Sequence, residues 1–134
     1  MYWFKPISCL LEIYNNMASY IPTAEIANNA LQALKVRESK PDSQKGMTSI
    51  GLGRARDLMN RRPLSEETVR RMKAYFDRHE VDKQGSTWND KGKGWQAWHG
   101  WGGDAGRTWA NNIVAKLNKE MNLRFRYISL SHKQ

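Results

Sequence analysis

At 134 residues, with 40% apolar and 26% charged side chains, the chain has the length of one domain and too much apolar content for a disordered one. Lys and Arg number 22 against 13 Asp and Glu, a formal charge of +9, which points to a polyanionic partner or to plain solubility charge. No run of 18 apolar residues is present, so no membrane span is expected; the single cysteine, Cys9, with histidines at 79, 99 and 132, excludes an internal disulfide and argues against a structural zinc site.

Residues 1–16 (MYWFKPISCLLEIYNN) are apolar and aromatic, with Lys5 and Glu12 cancelling. They lack the basic start and the small-residue cleavage site of a signal peptide, and Met17 opens MASYIPTAEI, a plausible start of its own. The expected division is an N-terminal extension over 1–16, a helical domain over 17–122 and a C-terminal tail over 123–134. The first helix is expected over Thr23–Glu38, with Thr23 as N-cap after Pro22 and Ile26, Ala27, Ala30, Leu31 and Leu34 on one stripe. A polar loop over 39–46 leads to a second helix over Ser49–Asn60, with Ala55, Leu58 and Met59 inward.

Pro63 ends that element and Ser65 caps the third helix. Glu66 and Glu67 suit its positive end, Leu64 and Val69 form a hydrophobic staple, and Val69, Met72, Tyr75, Phe76 and His79 share its inner face. A polar loop over Val81–Gly94 precedes Trp95–Trp101, a short helix or turn that Gly102 and Gly103 break. Asp104 is expected to cap a last helix over about Ala105–Met121. The tail 123–130 (LRFRYISL) begins by alternating and reads as a short strand, with Ile7–Tyr14 as its candidate partner. The expected fold is therefore mainly α: a small single-domain bundle of four or five helices with a helix-turn-helix-like hairpin, completed by a short terminal β pair.

The charge excess is uneven. Residues 17–82 carry 12 basic and 9 acidic groups, whereas 83–134 carry 9 basic and 3 acidic. In the hairpin over 51–80, Arg54, Arg56, Arg61, Arg62, Arg70, Arg71, Lys73 and Arg78 are candidates to meet phosphates. Arg54 with Asp57, and Glu66 with Arg70, are equally placed to form ordinary intrahelical pairs. The C-terminal half adds Lys91, Lys93, Arg107, Arg124 and Arg126 to the nucleic-acid-binding candidates. Trp88, Trp95, Trp98, Trp101 and Trp109 read first as core. The sharper alternative, a platform on which bases stack, requires at least two exposed indoles. The turn 102–107 reads as a helix start, since it lacks phosphate-loop spacing. His79, Glu80 and Asp82 show no familiar metal spacing, and no catalytic residue, metal or cofactor is assigned.

The words RARDL, LSEETVRRM, YFDRHEVDK, WGGDAG and WA resemble a small domain met in tailed-phage and prophage genomes, over roughly residues 18–118. In that family the module occurs as a short protein near head and packaging genes. The resemblance implies a phage or prophage origin and a place in the virion or the host cytoplasm, and it supplies no catalytic residues. The expected function is that of a non-enzymatic accessory protein binding nucleic acid, DNA in the first instance. The alternative is a virion structural or head-assembly protein making protein–protein contacts, for which the apolar termini are the motive.

Overall fold

The structure, a computed structural model, describes residues 19–132. The N-terminal extension, and with it the Ile7–Tyr14 strand candidate, lies outside the described residues. Among those described are five α-helices: α1 (Ala24–Ser39), α2 (Ser49–Met59), α3 (Glu66–His79), α4 (Lys93–Gly100) and α5 (Gly103–His132), with 3-10 turns at Asp42–Gln44 and Glu80–Gln84. No described helix is long and apolar enough to cross a membrane.

The helix starts follow from local chemistry. The Thr23 hydroxyl accepts from the Ile26 N–H at 3.3 Å, Thr48 from Gly51 at 3.1 Å and Ser65 from Thr68 at 3.2 Å, each cap contributing about 1 kcal/mol. Leu64 and Val69 are both buried in the core, as a staple requires. Helix α1 lies against α2 and α4, while α3 lies against α5. The core between them holds Ile26, Leu58, Val69, Met72, Phe76 and Trp98, with alanines at 30, 55 and 110 where helices approach closely. Trp98 is 1% exposed and meets the Phe76 ring edge-on, centroids 4.8 Å apart.

Three expectations are corrected. The turn between α2 and α3 forms, but the two helices do not pack on each other as a helix-turn-helix hairpin; their main neighbours are different elements. The turn is stitched instead to the chain entering α1. Arg61, left-handed at φ 51°, donates its Nε to the Pro22 carbonyl at 2.8 Å. Tyr20 and Leu64 exchange backbone hydrogen bonds of 2.8 Å each way, an isolated antiparallel bridge. The tail over 123–130 is not a strand: α5 runs unbroken to His132, through the expected domain limit at 122. Its alternation covers only a few residues, and no described strand exists to pair with it. Asp104 does not cap α5 but sits in its first turn. Its carboxylate accepts from Lys83 Nζ at 2.7 Å and from the Trp98 indole N–H at 2.9 Å. The reversal before α5 rests on glycine: Gly102 holds φ +115°, and a Cβ there would stand 3.0 Å from the Gly106 Cα.

The tryptophans are core and its rim, not a platform. Trp98 is buried, Trp88, Trp95, Trp101 and Trp109 are half-buried, and none of the five is exposed. Trp95 stacks on His99 with centroids 4.0 Å apart, and His99 donates its Nδ1–H to the Trp95 carbonyl at 2.9 Å. Burial pushes the His99 imidazole below its ordinary value, the Trp95 hydrogen bond and the Asp104 charge opposing it. The unfolded chain therefore takes up this proton first, at about pH 6.5. The stability so contributed is present above that pH and is lost as pH falls through the folded value. We expect Tm to decline on acidification from about pH 7 to pH 5, and His99→Gln to flatten the decline. An equal decline in the variant, followed by circular dichroism, would contradict this. The hydrogen bonds from Lys83, then from Trp98, hold the Asp104 carboxyl below its ordinary value, so a second loss follows in more acid solution.

Candidate functional site

One groove of about 710 Å3 gathers residues from three regions of the fold. The loop before α2 brings Lys45, Met47 and Thr48; α3 brings Arg71, Tyr75, Arg78 and His79; the start of α4 brings Lys93 and Gly94. Ile50, Ala97 and Trp101 supply apolar wall, and Asp82 a carboxylate. The size is that of an ordinary small-ligand cleft.

The loop is brought to α4 by a buried amide. Gln96 is fully buried. Its Oε1 accepts from the Gly46 N–H at 2.7 Å, and its Nε2 donates to the carbonyls of Gln44 and Lys91, both at 3.1 Å. Three backbone groups of two irregular segments are thereby satisfied by one side chain. Residue 46 must be small for this approach, since a Cβ there would lie 2.8 Å from the Cα and carbonyl oxygen of Lys93. Lys45 and Lys93 therefore come to the groove across almost 50 residues of sequence because Gln96 and Gly46 hold their backbones together.

The electrostatics of the groove favour an anion. Lys45, Arg71, Arg78 and Lys93 face a single lining carboxylate, Asp82, which accepts from His79 Nδ1 at 3.1 Å. The first turns of α2 and α4 carry no acidic residue, and the α4 N-cap, Gly92, has no side chain to cap it. Arg78 and Lys93 are exposed and carry no ion pair among the described residues. Arg71 pairs with Glu67 at 2.6 Å and Lys45 with Asp42 at 3.2 Å. The carboxylates of both pairs are exposed and each pair is worth less than about 1 kcal/mol, so a phosphate can displace them.

Tyr75 forms the inner wall. Its ring stacks on His79 at 4.6 Å and on Trp101 at 4.8 Å, with the Arg54 guanidinium 5.9 Å from the Trp101 centroid. The residue is 6% exposed, and its buried hydroxyl has no hydrogen-bond partner among the described residues. Burial, and then the Asp82 charge, push the phenol well above its ordinary range, so it remains a neutral O–H donor. A buried donor without a partner costs about 1–3 kcal/mol. We therefore expect Tyr75→Phe to raise stability by about 1 kcal/mol in urea melts. If the hydroxyl serves a ligand, the same variant binds that ligand several-fold more weakly. A stability loss instead would mean that the hydroxyl is satisfied.

Of the thirteen basic residues singled out in the sequence, the groove takes Arg71, Arg78 and Lys93. Arg54 and Arg62 share Asp57 at 3.3 and 3.2 Å. Arg61 is spent on the Pro22 carbonyl. Arg70 pairs with Glu66 at 3.0 Å and bonds Asn118, and Lys73 pairs with Asp77 at 2.7 Å. Arg107 grips Glu80 with two bonds of 3.0 Å, and Lys91 lies over Trp95 at 5.2 Å. Arg56 is exposed on α2, and Arg124 and Arg126 on the far end of α5. These residues do not share one face. Lys45, Tyr75 and Gln96 were not singled out as functional; the Lys-Gly step at 45–46 was read only as loop. Among the described residues no three His, Cys, Asp or Glu side chains are grouped to hold a metal. His79 pairs with Asp82, whereas Asp104 belongs to Lys83 and Trp98.

Comparison of the chain with protein-family models, with curated proteins and with solved structures gives no match.

Proposed function

We propose that the protein is a non-enzymatic, phage-type accessory module that binds nucleic acid, DNA in the first instance, by holding phosphates in the groove between α2, α3 and α4. The observation that carries this reading is the convergence of Lys45, Arg71, Arg78 and Lys93 on one groove with a single lining carboxylate. Backbone phosphates are the widespread polyanion that spaced cations of this kind meet, and their neutralisation releases counterions. The groove keeps Arg71 and Arg78 of the α2–α3 hairpin and leaves aside Arg54, Arg61, Arg62 and Arg70, which hold intramolecular partners away from it.

Fluorescence polarisation with labelled single-stranded and duplex oligonucleotides tests the reading. If all four cations meet phosphates, log affinity for single strands falls against log salt with a slope of about −3 between roughly 50 and 200 mM. No detectable binding near 50 mM salt, for DNA or RNA, would end the proposal. The second reading, a virion structural or head-assembly role in a virion or host cytoplasm, draws on the apolar side chains exposed along the end of α5. Mass spectrometry of purified virions tests that role directly.

A further inference from the structure

We propose that the groove between α2, α3 and α4 takes an unpaired strand, with phosphates on its cations and one base seated on the apolar wall of Met47, Ile50 and Ala97. This occupant, which rests on the reading of the groove as a phosphate site, accounts for lining that phosphates leave unused. Ile50, in the first turn of α2, is 67% exposed at the groove, an apolar side chain left in water beside Lys45, Arg71, Arg78 and Lys93. Met47 holds a left-handed backbone at φ 68° without being glycine, a conformation that clusters at ligand-binding and catalytic positions. A Cβ on Gly100 would stand 2.5 Å from the Met47 sulfur, so the thioether lies against the bare backbone of residue 100. It offers the groove a soft, polarisable surface.

Tyr75 adds a polar demand. At 6% exposure on the inner wall, it keeps a hydroxyl without a hydrogen-bond partner among the described residues. Every base carries ring nitrogens or carbonyl oxygens that accept from such a donor. The faces of duplex bases are closed by stacking, so only an unpaired base can lay its face on this wall. Size agrees: the groove, about 710 Å3, has the volume of a small-ligand cleft and does not admit a duplex. Unpaired bases settle on apolar and aromatic side chains in positively charged grooves. The Trp101 ring already has Tyr75 and Arg54 against it, so the aliphatic wall, rather than an indole face, receives the base. A duplex lying across the cations and a free nucleotide are the competing occupants, and the test separates them.

Fluorescence polarisation compares a labelled single-stranded oligonucleotide, its duplex, and an abasic strand of the same length that keeps the phosphates and lacks the bases. The base-bearing single strand is expected to bind about ten-fold more tightly than either, with the salt slope of the abasic strand. Ile50→Ser, at an exposed position, is expected to leave the melting curve in place. It should weaken the base-bearing strand about five-fold and leave the abasic strand unchanged. Tyr75→Phe is expected to act on the two strands in the same way. Equal affinity with and without bases, a duplex bound as tightly as the single strand, or Ile50→Ser binding like the unaltered protein would overturn the proposal and leave the phosphate reading standing. No binding of any of the three at about 50 mM salt overturns both. A nucleoside 5′-monophosphate has one phosphate for four cations, and is expected to displace the strand only at about ten-fold or more higher concentration. Displacement at equal concentration overturns the strand as occupant.

Discussion

Gln96→Leu is expected to destabilise the protein by about 2–4 kcal/mol, although leucine nearly matches glutamine in volume. The cost arises from what the amide leaves behind. The Gly46 N–H lies in a buried residue and loses its acceptor, while the Gln44 and Lys91 carbonyls lose their donor. The two carbonyls belong to exposed residues and regain water, so the stranded N–H carries most of the penalty. For a domain of this size the loss corresponds to a fall in Tm of roughly 8–16 °C. Gln96→Glu keeps the acceptor, removes both donations and places a charge in a fully buried position, so it is expected to be worse. The same substitutions free the loop that carries Lys45 from the start of α4 that carries Lys93, so the surviving folded protein should bind oligonucleotide more weakly. Urea melts of Gln96→Leu within about 0.5 kcal/mol of the unaltered protein would show that these segments hold together without the amide.

The double charge reversal Arg78→Glu/Lys93→Glu is expected to abolish oligonucleotide binding over the accessible range, a fall of 100-fold or more. Each residue would lose a charge-assisted contact of about 1.5–3 kcal/mol, and the two introduced carboxylates repel phosphate. For the milder double replacement by Ala, the salt slope on single strands should shrink by about 1.4, which reports two fewer phosphates neutralised. Neither residue carries an ion pair among the described residues and both are exposed, so the melting curve should hardly move. The control is Arg56→Glu, an exposed arginine outside the groove, which should change affinity by no more than about two-fold. If the control matches the effect of the groove variants, attraction comes from the net charge of the whole molecule and the groove is not the site.

Much of the architecture was legible residue by residue. Thr23 and Ser65 are the N-caps that the sequence announced, and of the row Val69, Met72, Tyr75, Phe76 and His79 the first four are buried as the spacing required while His79 is half-exposed. Five helices fit the expected four or five. The errors lie where local signals are short. The alternation over 123–130 spans too few residues to outweigh the helix already running through Met121. Asp104 looked like a cap because it follows two glycines, but the nearby Lys83 and Trp98 groups took its carboxylate into the first turn. The expected hairpin forms its turn, but that turn is held by Pro22 and Tyr20, some 40 residues earlier.

By itself the sequence determined the helical class, the caps at Thr23 and Ser65, most of the inner faces and the positive charge. These depend on interactions within a few residues and on composition, so they can be read from the order of residues. Only the tertiary structure decided which charges remain available. Arg70, Arg107 and Arg78 look alike in sequence, yet one is held by Glu66 and Asn118, another by Glu80, and the third stands exposed at the groove. Most described ion pairs form within a few residues, but Lys83 with Asp104, Arg107 with Glu80 and Arg70 with Asn118 meet partners that the fold brings in from 21, 27 and 48 residues away. The +9 of the composition was therefore a permissive signal, and the groove is one place where the fold sets exposed cations beside a single lining carboxylate.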